Sequence, residues 1–106
     1  MLGETKKAKG VFTEFLKDYP NNKDAPSVYL NLAKLYVALD EKEGISFLEK
    51  HRKYYIDTPE AAGILFNLAL LYQLNNDYES AREIYERIIN NYPKSKYYYR
   101  AKIAIE

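Results

Sequence analysis

The sequence predicts an all-α fold of about six helices, arranged as antiparallel hairpins stacked in a row. Leu32-Ala33-Lys34-Leu35-Tyr36 returns 36 residues later as Leu68-Ala69-Leu70-Leu71-Tyr72, with Tyr29 and Leu65 three positions ahead of each copy. A period between about 20 and 50 residues marks a supersecondary unit whose apolar face is buried only by stacking on its neighbours. Between the chain's breaks, the apolar residues also recur three and four positions apart, as one face of a helix requires.

The first element, about residues 4 to 18, carries Val11, Phe12, Phe15 and Leu16 at helical spacing. It ends at Tyr19-Pro20, because the residue before proline leaves the helical region and proline lacks the amide donor. A second helix, about 25 to 39, holds Val28, Tyr29, Leu32, Leu35, Tyr36 and Leu39 and stops at Asp40-Glu41. The third, about 42 to 55, contains Gly44, which lowers helix propensity by up to ~1 kcal/mol relative to alanine. After it, Asp57-Thr58-Pro59 reads as a break, with Thr58 as N-cap and Pro59 at the first helical position. The fourth helix, about 60 to 74, is marked by Ile64, Leu65, Leu68, Leu71 and Tyr72, and Asn75-Asn76-Asp77 supplies a turn. Ala81, Ile84, Tyr85, Ile88 and Ile89 continue the period over about 77 to 91, until Tyr92-Pro93 interrupts it. A last helix spans about 95 to 106.

Composition narrows the function. A chain of 106 residues makes one domain and leaves no room for a separate catalytic lobe. With 16 basic and 15 acidic residues it has no global field to attract nucleic acid or an anionic membrane. The absence of cysteine removes disulfides, thiolate metal sites and thiol nucleophiles, and leaves the compartment open. No apolar run approaches a membrane span, and Met1 to Lys9 is polar and helix-like rather than a signal sequence. Twelve tyrosines and no tryptophan suit half-buried helix seams, where a ring packs and its hydroxyl reaches water. His51, the single histidine, has only Glu49 and Tyr55 near it at helical spacing and reads as a helix-surface residue, not a metal ligand. The serines at 27, 46, 80 and 95 lack a nucleophile elbow, and four glycines are too few for a phosphate loop. The expectation is a non-enzyme with no catalytic residue, no cofactor, no metal and no small-molecule substrate.

Leu65, Leu68, Ala69, Tyr72, Tyr78, Ala81, Tyr85, Ile88 and Pro93 fall at the spacing of the tetratricopeptide repeat (TPR) signature, and the chain resembles TPR proteins. The resemblance implies a right-handed solenoid. Ala69 and Ala81 are small where two helices of a hairpin approach, and the rings at 72, 78 and 85 are expected to fill the space around them. Ala8, Phe12, Phe15 and Pro20 match the second half of the signature. A single domain over 1–106 then divides into half a repeat (1–24), a degenerate repeat (25–58), a well-matched repeat (60–95) and the start of a further repeat or a capping helix (96–106). In the degenerate repeat the later signature positions hold Ile45, Glu49, Arg52 and Asp57, of which only Ile45 is apolar. Its second helix is expected to pack in a shifted way, using Phe47, Leu48, Tyr54, Tyr55 and Ile56, with a local bend or rotation of the hairpin aided by close approach at Gly44. The Tyr92-Pro93-x-Ser95-x-Tyr97-x-x-x-Ala101 pattern is similar to TPR modules of bacterial cell-envelope proteins, such as the Tol-Pal-associated periplasmic factor and the outer-membrane assembly lipoprotein. As written the chain reads as cytoplasmic, and as periplasmic if it is excised from an exported envelope protein. Counted this way the array begins and ends mid-unit, which implies either a piece of a longer protein or ends covered by a second copy.

In TPR proteins the first helices of successive repeats line a concave groove for peptides or partner helices. Carried onto this chain, the groove positions are Ser27, Leu30, Asn31, Lys34 and Val37, then Gly63, Phe66, Asn67, Leu70, Gln73 and Leu74. Leu30, Val37, Phe66, Leu70 and Leu74 form an apolar patch that either the final helix or a second chain covers, or that a partner occupies. Lys34 is the only cation on this face, so a basic clamp for a terminal carboxylate is missing. The expected function is a protein–protein interaction scaffold that binds through the groove or self-associates through it. The alternative is nucleic-acid or cell-envelope surface binding by the basic, tyrosine-rich segment Lys94 to Lys102, where cations alternate with rings.

Overall fold

The computed structural model describes residues 2–106, and its described residues form seven α-helices and no strand. They are α1 (Leu2–Asp18), α2 (Ala25–Leu39), α3 (Glu43–Lys50), α4 (Arg52–Tyr55), α5 (Ala61–Leu74), α6 (Tyr78–Asn91) and α7 (Tyr98–Ala104). Packing runs in a row: α1 lies on α2, α2 on α5, α5 on α6 and α6 on α7, while α3 closes onto α2 and α5 and α4 onto α2. The core follows the same line. Leu16, Tyr29, Leu32, Leu48, Tyr55, Ile64, Leu65, Leu68 and Ile88 are fully buried, and Ala69 and Ala81 let α5 and α6 approach closely.

The seventh helix comes from a break within the expected third one. Residues 42 to 55 do not form one continuous helix, because His51 leaves helical geometry (φ −98°, ψ 6°) between α3 and α4. Its Nδ1 and the Tyr29 hydroxyl share a 2.7 Å hydrogen bond, and its ring stacks on Phe47 at 4.1 Å. The bend also turns Leu48 and Tyr55 into the core, leaves Phe47, Tyr54 and Ile56 half-buried, and points the Tyr55 hydroxyl at the Leu48 carbonyl, 2.8 Å away. Glu49 and Arg52, polar at signature positions, pair with each other at 2.7 Å, and Glu49 accepts from the Tyr72 hydroxyl on α5. Among the described residues, Arg52 Nε is left as a buried polar atom without a hydrogen bond. His51 is thus a half-buried joint, not a surface residue. Burial, then the charges of Lys50 and Lys53, lower its pKa from the ordinary 6.5.

Both first helices of the two central hairpins end alike. Asp40 and Asn76, one period apart, are left-handed with φ 53° and 62°, the only positive φ values at non-glycine residues among those described. Glu41 N–H donates to Tyr36 O and Asp40 N–H to Val37 O; Asp77 N–H donates to Tyr72 O and Asn76 N–H to Gln73 O. These are Schellman closures, which satisfy carbonyls that the helix end would leave open. Asp77 then caps α6 by accepting from the backbone N–H of Ser80 at 3.1 Å.

At the start of α5 the expectation fails by two residues. The helix begins at Ala61 with Glu60 as N-cap, and Thr58 does not cap it. Instead, the Thr58 hydroxyl donates to the Tyr55 carbonyl at 2.7 Å, so it finishes α4. Tyr78 departs as well: it is 62 % exposed, its hydroxyl on Asn76, so only the rings at 72 and 85 fill the hairpin seam.

Candidate functional site

The concave side is built by α2, α5 and the turn leading into α7. Close approach there depends on Gly63, where an added Cβ would lie 3.0 Å from Leu30 Cδ1 and 3.1 Å from the Tyr97 ring. Tyr97 reaches this point because Ser95 Oγ accepts from its backbone N–H at 3.0 Å, fixing the turn after Pro93. The ring is buried over the middle of the groove, 5.3 Å from Phe66 centroid to centroid. Phe66 also meets Tyr85 edge-on at 5.6 Å and carries the Arg100 guanidinium at 5.4 Å.

That stack splits the groove in two. Toward the start of α5, a cavity of about 420 Å³ is lined by Leu30, Lys34, Pro59, Glu60, Gly63, Ser95, Lys96 and Tyr97. Toward its end, a cavity of about 370 Å³ is lined by Val37, Leu70, Gln73, Leu74 and Tyr78. The first is ringed by charge. The second is mostly apolar, and Leu74 at its rim is 47 % exposed, while Val37 and Leu70 are half-buried.

The expected groove residues therefore sit in different surroundings. Leu30 and Phe66 are half-buried beneath Tyr97, so the approach to α7 covers part of the apolar patch; Val37, Leu70 and Leu74 stay accessible. Asn31 and Asn67 share a repeat position but not a role. Asn31 is exposed, whereas Asn67 is buried and its Nδ2 donates to the Gly63 carbonyl at 2.8 Å. Gln73 accepts from the Tyr85 hydroxyl, which burial keeps protonated by raising its pKa. Lys34 is exposed beside the charged cavity. Sequence reasoning missed Tyr78, Tyr97 and Arg100 as groove residues. Tyr97 could have been found from its place: 36 residues after Ala61, it opens the next first helix.

Among the described residues no cluster of histidine and carboxylates is placed to hold a metal, and no helix is long and apolar enough to cross a membrane. No curated protein and no solved structure matches the chain significantly. The sequence profile of the tetratricopeptide repeat matches residues 1–22 and 64–95, together just over half of the chain. Those stretches cover α1 and most of the α5–α6 hairpin, while the unmatched middle holds α2, the bent α3–α4 unit and the start of α5. The row of hairpins, the small residues at the α5–α6 seam and this match agree, and the chain belongs to the tetratricopeptide repeat family.

Proposed function

We propose that the chain is a non-enzymatic scaffold that holds another protein, as a peptide or a partner helix, in the groove between α2 and α5. Repeats of this family generally mediate protein–protein interaction. The observation that carries the reading is the apolar hollow of Val37, Leu70, Leu74 and Tyr78, accessible on a face that the rest of the fold leaves concave. Apolar anchors from a partner fit such a hollow, and Gln73 and Asn31 offer polar groups at its margin. The alternative, binding of nucleic acid or an envelope surface by the basic C-terminal segment, is less well supported. Lys96, Arg100 and Lys102 already lie over Tyr97, Phe66 and Tyr98, which occupies the rings that bases would need.

The test is a peptide selected by display against the chain and titrated by calorimetry. Leu70→Ala with Leu74→Ala is expected to weaken it at least tenfold, since each leucine contact is worth roughly 1.5–3 kcal/mol when fully buried. Affinity should barely change with salt, in contrast to phosphate contacts. Undiminished binding by the double variant, or a steep salt dependence, overturns the groove reading. Self-association through the groove is read out by the same variant in sedimentation.

A further inference from the structure

The two hollows of the groove differ in chemistry because the repeats differ at one position. Lys34 on α2 and Leu70 on α5 stand one 36-residue period apart, and Lys34 lines the hollow near the start of α5 whereas Leu70 lines the one near its end. The groove positions read from the sequence include a single cation, Lys34; folding adds two more. Lys96 joins Lys34 in the first hollow from the turn leading into α7. Arg100 lies over the stack that divides the groove, its guanidinium 5.4 Å from the Phe66 centroid and 5.6 Å from that of Tyr97. Contact with two ring faces holds the guanidinium in place and leaves its N–H edges for an acceptor.

All three cations are exposed. Ion pairs among the described residues join Lys9 to Glu41, Arg52 to Glu49 and Arg82 to Glu86, so the charges of Lys34, Lys96 and Arg100 stay unpaired within the fold. Glu60, half-buried, is the one acid that lines the first hollow, against two lysines. The whole chain is close to neutral, with 16 basic and 15 acidic residues, so this excess of positive charge is local to the groove.

We propose that the partner is acidic beside its apolar anchor: an aspartate or glutamate side chain enters the hollow of Lys34 and Lys96, near Arg100, while an apolar side chain fills the hollow of Val37, Leu70 and Leu74. The inference rests on the groove reading and gives the partner its chemistry. Glu60 repels a dianion from the same hollow, so a carboxylate suits it better than a phosphoryl group. Exposed charge pairs discriminate between partners more than they add affinity. The apolar hollow therefore holds the segment and the cations choose it, with only a shallow dependence on salt.

The test is a library of peptides displayed within a loop, so that no free carboxyl terminus is offered, selected in parallel on the unmodified chain and on Lys34→Glu with Lys96→Glu. Lys34→Glu alone is the companion variant, because Lys96 lies over the Tyr97 ring and its loss could loosen that contact; circular dichroism verifies that both variants fold. The unmodified chain is expected to enrich aspartate or glutamate on one side of an apolar residue, the double variant to enrich lysine or arginine there, and the single variant to lose the acidic preference. In a selected peptide, glutamate to glutamine is expected to weaken binding to the unmodified chain about threefold and binding to the double variant not at all. Peptides that need Leu70 and Leu74 but show no acidic preference, or the same preference on the charge-reversed variant, overturn this inference and leave the groove reading standing. Failure to select any peptide overturns both.

Discussion

Gly44 shows how one missing side chain sets a local arrangement. It is buried where α3 crosses α2, and a Cβ there would come within 3.0 Å of Cβ, Cγ and Cδ2 of Tyr36. Two effects compete in Gly44→Ala. Alanine gains up to ~1 kcal/mol of helix propensity, while displacing a well-packed ring costs about 1–3 kcal/mol. Tyr36 is nearly buried and forms part of the core, so the packing cost wins. A net loss of up to about 2 kcal/mol is expected, read as a lower urea midpoint with an unchanged slope. The close approach was legible from the glycine inside a helical pattern. Its partner was not, because Tyr36 lies eight residues before Gly44, across the turn between α2 and α3. Thr58 shows the opposite error: a good N-cap residue followed by proline, whose hydroxyl found the nearer carbonyl of Tyr55.

At the scale of the element, the joint between α3 and α4 is expected to respond to mildly acidic pH. Tyr29 approaches His51 from α2, Phe47 and Tyr54 flank it on its own hairpin, and Lys50 and Lys53 are the charges that face it. The folded state holds this ring neutral, since its pKa is lowered from 6.5. The unfolded chain takes up a proton more readily in the window just below 6.5. Stability from this residue is therefore complete above that value and is lost as pH falls through it toward the lower folded pKa. Thermal unfolding followed from about pH 7.5 down to about pH 5.5 should show a declining midpoint, and His51→Gln should flatten that slope. An unchanged slope in the variant would assign the response elsewhere. Helical periodicity announced the departure of this repeat through Glu49, Arg52 and Asp57 and located the face that packs instead. It announced a local bend but not a break at His51, because the Tyr29–His51 hydrogen bond that holds the joint links residues 22 apart in the chain.

Across the whole molecule, each hairpin leans on its neighbours, and stability should fall away toward the ends of the row. Tyr97 ties the lead-in of α7 to α2 and α5 through Leu30, Gly63 and Phe66, beside the packing of α7 on α6. Tyr97→Ala is expected to speed amide exchange in α7 at least tenfold while α2 and the α5–α6 seam keep most of their protection. Equal acceleration everywhere, measured by mass spectrometry, would mean that the chain unfolds as one unit. The repeat period and the small residues at 69 and 81 made the stack readable. The division of the groove was hidden, since it arises where a ring from the lead-in to α7 meets a glycine and a phenylalanine of α5. That partition acts as a ruler. The two hollows centre about eleven residues apart along the chain at α5, near residues 61 and 72, or roughly 16 Å at the rise of a helix. A segment long enough to bridge the Phe66–Tyr97 stack would have to space its charged and apolar anchors by that length, about eleven residues as a helix or five as a strand.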